Sequence, residues 1–168
     1  MIPVTENQNV SFEIYSLTAG TGTLAISPIP GRFADFENDL SQILNWRPDL
    51  VLSMTEQAEF VSVGAGHLSE RLAQAGIDWL HLPIRDYSGP QGATLAAWPV
   101  ASARARAVLH SQGRVLIHCF GGCGRSGMAA LRILIDMGVE PEAALIRVRS
   151  ARPCAVETDD QMAWALTQ

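Results

Sequence analysis

Cysteine is scarce in this chain. Three residues in 168, Cys119, Cys123 and Cys154, are an odd number and too few for the disulfide framework of a small secreted protein. A reducing compartment, the cytoplasm, is the expectation. Charge is thin as well: 17% of residues are charged, and 12 Lys+Arg against 17 Asp+Glu give a formal net charge of −5. That balance argues against duplex nucleic acid or an anionic bilayer as a partner held by bulk electrostatics, while a small anion held locally remains compatible with it. No uninterrupted apolar run is long enough for a membrane span: MAALRILIDMGV (128–139) is broken by Arg132 and Asp136, and MIPVTENQNV at the N-terminus has neither the basic nor the apolar stretch of an export signal. Repeats, low-complexity tracts and Gly/Ser linkers are missing too, which excludes a solenoid and a linked pair of domains.

What remains is a chain with 48% hydrophobic residues. At this length about two-thirds of the unfolded surface can be buried, so one domain can stand on its own core without a metal or a disulfide staple. Short β-branched runs alternate with longer helical stretches. TLAIS (23–27), DLVLSM (49–54), WLHLPI (79–84) and RVLIH (114–118) read as strands, with SFEIYSL (11–17) a weaker candidate. Helices are expected over 33–46, 66–76, 94–113, 126–138, 141–151 and 157–167, with Pro99 kinking the third or marking its true start. The alternation predicts an α/β fold of three layers, a mostly parallel central sheet flanked by helices. RVLIH is apolar with almost no alternation, as a strand buried on both faces should be. Ligands in such sheets bind beyond the carboxyl ends of central strands, and the loop there is CFGGCGR.

Residues 118–127 read His-Cys-Phe-Gly-Gly-Cys-Gly-Arg-Ser-Gly. A thiol at a strand end, three glycines and an arginine opening a helix can wrap the backbone into a nest whose N–H groups converge on a tetrahedral anion. Phe120, Gly121, Gly122, Cys123, Gly124 and Arg125 are the candidate phosphate-binding residues, with the planar Arg125 fork holding two oxygens. The same positive field should hold the Cys119 thiol below a pKa of about 7, giving a ready nucleophile. Ser126 is placed either as an ordinary helix-start residue or to donate to the Cys119 sulfur. His118 reads as a core histidine that also orients the loop. Cys123 is either a spectator or a resolving partner that traps Cys119 as a disulfide under oxidation.

The run HCFGGCGRS fits the signature of the cysteine-dependent protein phosphatases: His-Cys, five residues, Arg, then Ser or Thr. Over roughly residues 22–166 the chain resembles the cyclin-dependent-kinase-associated dual-specificity phosphatases, through LAISPIPGRF (24–33), LHLPIRDYSGP (80–90), VLIHCFGGCGRS (115–126) and AVETDDQ (155–161). The resemblance implies a compact dual-specificity phosphatase-like fold, with 1–22 as an N-terminal extension or edge strand and 23–167 as the catalytic core. It also implies catalysis by Cys119, Arg125 and Asp86. Asp86 is the general acid on the loop after the strand preceding the signature; Asp78 competes for that role but precedes the strand. Gln161 resembles a glutamine that positions water, although a solvated helix residue would look the same. Arg85, Tyr87-Ser88, Cys123 and Gly127 depart from the family pattern.

The implied reaction needs no cofactor and no metal. The expected partners are a phosphoprotein or phosphopeptide substrate and an oxyanion such as phosphate or sulfate in the loop, with neither nucleic acid nor membrane. No lysine stands among the signature's variable positions to meet extra phosphates, which favours phosphoprotein over a polyphosphorylated inositol lipid. Two rival readings stay open on the sequence: an inactive phosphate-reading module, and a rhodanese-like sulfurtransferase.

Overall fold

The computed structural model describes residues 11–33 and 35–167; the first ten positions of the expected N-terminal extension lie outside them. Five strands, β1 (Tyr15–Ala19), β2 (Gly22–Ser27), β3 (Leu50–Ser53), β4 (Asp78–His81) and β5 (Arg114–His118), form one sheet in the order β1-β2-β5-β3-β4. β1 runs antiparallel to β2 at one edge, and the other neighbouring pairs are parallel. This is the three-layer α/β architecture expected from the alternating pattern. β5 lies between β2 and β3, so its apolar run is buried from both sides.

Alternation within the strands sends side chains into two separate cores. Leu24, Ile26, Leu50, Leu52, Val115 and Ile117 face one layer of helices: α4 (Gly92–His110), α5 (Gly124–Asp136), α6 (Pro141–Ala151) and α7 (Asp159–Leu166). Ala25, Val51 and Leu116 face the other: α1 (Phe36–Trp46), α2 (Gln57–Ser62) and α3 (Leu68–Gln74). α5 is the centre of the first layer. Every residue from Gly124 to Leu131 is buried, because the helix packs against β2, β5, α4, α6 and α7 at once. A helix covered this fully cannot shift, and its N-terminus lies at the exit of the equally covered β5.

Three details differ from the sequence reading. α4 does not start at Pro99 but at Gly92. The proline sits inside the helix, and the carbonyl it cannot serve, four residues back, belongs to the exposed Leu95. β4 ends at His81, so LPI continues outside the strand. α2, absent from the expected elements, is six residues long with Phe60 as its one buried residue, too short to show helical periodicity. Among the described residues no helix is long and apolar enough to cross a membrane.

Candidate active site

The loop from Cys119 to Arg125 is held almost entirely by its carbonyl groups. Cys119 O contacts His118 Nδ1 at 3.3 Å. Phe120 O accepts from Ile29 N at 3.2 Å and Arg32 Nη1 at 3.4 Å. The Arg152 guanidinium donates to Gly121 O at 3.1 Å and Gly122 O at 3.0 Å. Cys123 O accepts from Gly127 N and Val156 N. In a planar trans peptide the carbonyl and the following N–H point opposite ways, so a loop pulled outward by its carbonyls turns its amides inward. Among the described residues none accepts from the N–H groups of Phe120, Gly121, Gly122 or Cys123. These unpartnered donors beside Cys119 form the anion nest that the glycine spacing predicts. Gly122 is indispensable to it: its φ is +70°, and a Cβ there would lie 2.7 Å from the backbone of Ser27 and Pro28.

Cys119 is a free, buried cysteine, and its Sγ lies 3.1 Å from Ser126 Oγ. Arg125 is 1% exposed. Its Nη1 and Nη2 each donate to a Glu59 carboxylate oxygen at 2.7 Å, and Nη1 also donates to Ile84 O at 2.9 Å. The expected Arg125 fork is thus gripped by a carboxylate, and the buried Nε–H, which has no partner among the described residues, and the second Nη2–H are the donors left for an anion. Burial pushes the Glu59 carboxyl up. The Arg125 hydrogen bonds, the Glu56 backbone N–H and the Arg125 charge outweigh this and hold it below the usual range. Glu59 was missed from sequence because it rides on the short α2. Its one signal is a capping box: the Glu59 side chain reaches back to the Glu56 backbone N–H.

His118 closes the floor of the loop. Trp79 Nε1 donates to Ser53 Oγ at 2.8 Å, and Ser53 Oγ lies 2.5 Å from His118 Nε2. Since the Cys119 carbonyl can only accept, Nδ1 carries the proton that faces it, and in the neutral ring Nε2 accepts from the Ser53 hydroxyl. Burial presses the His118 pKa down to about 4, consistent with this neutral tautomer. The ring packs edge-on to Phe60 at 5.7 Å. The core-histidine expectation holds geometrically, and the ring does contact the loop.

Asp86 lies on the segment between β4 and α4. One of its carboxylate oxygens is 3.4 Å from Arg125 Nη2, so it faces the cysteine loop, whereas Asp78 sits in β4 and pairs with Arg104. Tyr87 next to it is 61% exposed with φ +64°. Before Asp86 the segment is tied down, Leu82 N to Ser53 O, Ile84 N to Met54 O and Thr94 Oγ1 to Pro83 O; after it, Thr158 Oγ1 donates to Tyr87 O at 2.9 Å and Gln161 Nε2 approaches Ser88 O at 3.5 Å.

Gln161 is fully buried, which corrects the solvated reading. Its Oε1 accepts from Glu157 N at 2.9 Å and Thr158 N at 3.3 Å within the capping box of α7. The side chain reaches Gly124, where a Cβ would come within 2.8 Å of it. Glu157, not singled out in the sequence, lines the cleft and accepts the Gly124 N–H at 2.8 Å. Cys123 is neither a spectator nor bonded to Cys119: it forms a disulfide with Cys154. The bridge links the loop to the segment that carries Glu157 and leaves Cys119 the free thiol.

The mixed five-stranded sheet between helices, with a free cysteine, unpartnered amides, a buried arginine and a carboxylate gathered at the exit of β5, is a dual-specificity phosphatase-like fold, and the comparisons agree. The solved structure of kinase associated phosphatase, carrying a serine in place of its catalytic-site cysteine, superposes with a TM-score of 0.81 at 22% identity over 92% of each chain. Tk-PTP in its active form gives 0.66 at 29% identity, over 83% of this chain and 86% of that one. PTPMT1 in complex with PI(5)P gives 0.72 at 18% identity, over 90% and 92%. No curated protein matches. Residues 49–139 match the family described as polymorphic toxin system, DSP-PTPase phosphatase, and the chain belongs to that family.

Proposed function

We propose that this protein hydrolyses phosphate monoesters on proteins, phosphotyrosine and also phosphoserine or phosphothreonine, through a phosphocysteine intermediate at Cys119. The reading rests on one observation above all: a free cysteine in a cleft beside four amides and a buried arginine donor that have no acceptor among the described residues. Such donors are worth most where charge develops in a transition state, here on the equatorial oxygens of the moving phosphoryl group. The Cys119 thiolate attacks phosphorus as the ester P–O bond breaks, and Asp86 gives its proton to the leaving oxygen. The Ser126 hydroxyl stabilises the sulfur when it departs. Water then attacks the phosphocysteine with Asp86 as base, releasing phosphate and restoring the thiolate.

Glu59 keeps Arg125 aimed throughout, and His118 fixes the loop's first carbonyl. The water-orienting role expected of Gln161 is not supported by its bonds, since its carbonyl is committed to two backbone amides. We assign it to positioning Glu157 and the Asp86 segment. Presence of both Cys119 and Asp86 in one cleft favours an enzyme over a phosphate-reading module. Phosphoproteins are made by ATP-dependent kinases, which points to the cytoplasm as the place of action; the Cys123–Cys154 disulfide runs against the reducing compartment that the cysteine count led us to expect.

The test is turnover of p-nitrophenyl phosphate and of phosphopeptides. Cys119→Ser is expected to reduce both to background while still binding phosphopeptide, and residual turnover by this variant would remove the nucleophile assignment.

A further inference from the structure

The cleft around Cys119 encloses about 590 Å³, several times what one phosphate group fills, and two guanidinium groups in its wall are used by nothing in the reaction. Arg32 lies over the rings of Phe120 and Phe33, 4.8 and 5.0 Å from their centroids. Arg152 lies over the Tyr15 ring at 4.2 Å. Both touch the cysteine loop from outside, at the carbonyls of Phe120, Gly121 and Gly122. These bonds point away from the nest, so neither arginine reaches the phosphoryl group held within it.

Neither arginine has a carboxylate within ion-pairing distance among the described residues, unlike Arg71, Arg104, Arg125 and Arg132. The acids that share the cleft are engaged elsewhere. Glu13 lies beside Tyr15, whose hydroxyl burial and the Glu13 charge hold protonated, Asp86 faces Arg125, and Glu157 holds the Gly124 N–H. Each arginine therefore keeps unused N–H donors on a head group already fixed by ring faces and carbonyls. Little entropy remains to be lost when such a head group takes an anion. Arg32 is fixed from its own side too, because the buried Asp39 accepts the N–H of Gly31 at 2.8 Å.

The two meet at Gly121. Arg32 Nη1 is 2.9 Å from where a Cβ would stand on that residue, and Arg152 Nη2 is 3.1 Å from its carbonyl. Gly121 is two positions from Cys119, so the pair stands about one to three extended residues from the phosphoryl site, at ~3.3 Å per residue. The rings they stack on, Phe33, Phe120 and Tyr15, line the same cleft, so the wall suits a flat aryl ester with an acidic neighbour.

We propose that Arg32 and Arg152 form a second anion subsite, and that the preferred substrate is a phosphotyrosine peptide with an acidic side chain within three residues of the phosphorylated one. This rests on the phosphatase reading above and names its substrate class. The experiment measures kcat/KM for the full chain on phosphotyrosine peptides carrying a single Glu or Gln scanned from three residues before to three after. p-Nitrophenyl phosphate, without neighbours, and vesicles containing a phosphoinositide serve as further substrates. At one or two positions Glu is expected to exceed Gln by about tenfold. The ratio should fall to about two or less in Arg32→Ala and in Arg152→Ala, and Arg152→Glu should prefer Lys. Since the ratio is taken within each variant, a general loss of activity from a disturbed loop cancels.

Equal rates for Glu and Gln peptides in a protein that turns over p-nitrophenyl phosphate would overturn the subsite and spare the phosphatase. A preference that survives both alanine variants would overturn it as well, and faster turnover of the vesicles than of the best peptide would overturn the peptide assignment. No turnover of any ester would bring down the phosphatase reading and the subsite with it.

Discussion

The two loops that face each other across the cleft are built on opposite principles. The cysteine loop, Cys119–Arg125, joins two buried elements, and each carbonyl from Cys119 to Cys123 has a protein contact. The Asp86 segment leaves an edge strand and exposes Tyr87 at 61%, and from Asp86 to Ser88 its contacts with the rest of the protein are side-chain ones, to Arg125 and to Thr158 and Gln161 on the α7 side. An oxyanion nest contributes only if its donors are already in place before the charge arrives. The proton donor proposed for Asp86 must meet a leaving group whose position varies with the substrate, and a loosely held segment permits that.

This contrast makes its strongest prediction for Asp86→Asn. Turnover of phosphopeptides should fall by about 10²- to 10⁴-fold, with thermal stability unchanged because the residue is half-exposed. The loss should shrink on p-nitrophenyl phosphate, whose leaving group needs little protonation. Gly122→Ala should damage both quantities. Its positive φ and a methyl 2.7 Å from the Ser27 and Pro28 backbone give an expected loss of about 2–4 kcal/mol in urea unfolding, and phosphate affinity should fall with it. One methyl in the tight loop would then outweigh a whole side chain in the loose one. Acid should act on the tight side as well. His118 has a folded pKa of about 4 against about 6.5 unfolded, so the unfolded chain binds the extra proton between those values. Its contribution is complete above pH 6.5, is lost as pH falls toward 4, and amounts to about 3 kcal/mol. The urea midpoint should drop across that window while the imidazole NMR shifts of His118 stay neutral throughout it. Smallest of all, Tyr87→Gly should relieve a left-handed residue and change stability by no more than about 1 kcal/mol. A large stability loss there would show that the Asp86 segment is as tightly built as its opposite.

Most of the sheet could be read in advance because β5 carries its burial in its composition. RVLIH has no polar face, and the observed strand coincides with it. The signature loop was equally plain, since a thiol, three glycines and an arginine in one short run have few other uses. What stayed hidden has a common cause: it depends on residues brought together from far along the chain. Glu59 meets Arg125 across 66 positions from a helix too short to carry a periodic signal. Cys154 is 31 positions from Cys123, and three cysteines alone do not say which two will meet. Gln161 was noticed in sequence, but its hydrogen bonds follow from its place in the first turn of α7. Glu157, four residues earlier, is the one whose carboxylate enters the cleft.

The bridge between Cys123 and Cys154 encloses α5, α6 and the turn between them. A protease that nicked the chain at that turn, near Gly138, would not release either piece. The nicked molecule would run as a single band in non-reducing electrophoresis and separate into two fragments once dithiothreitol is added.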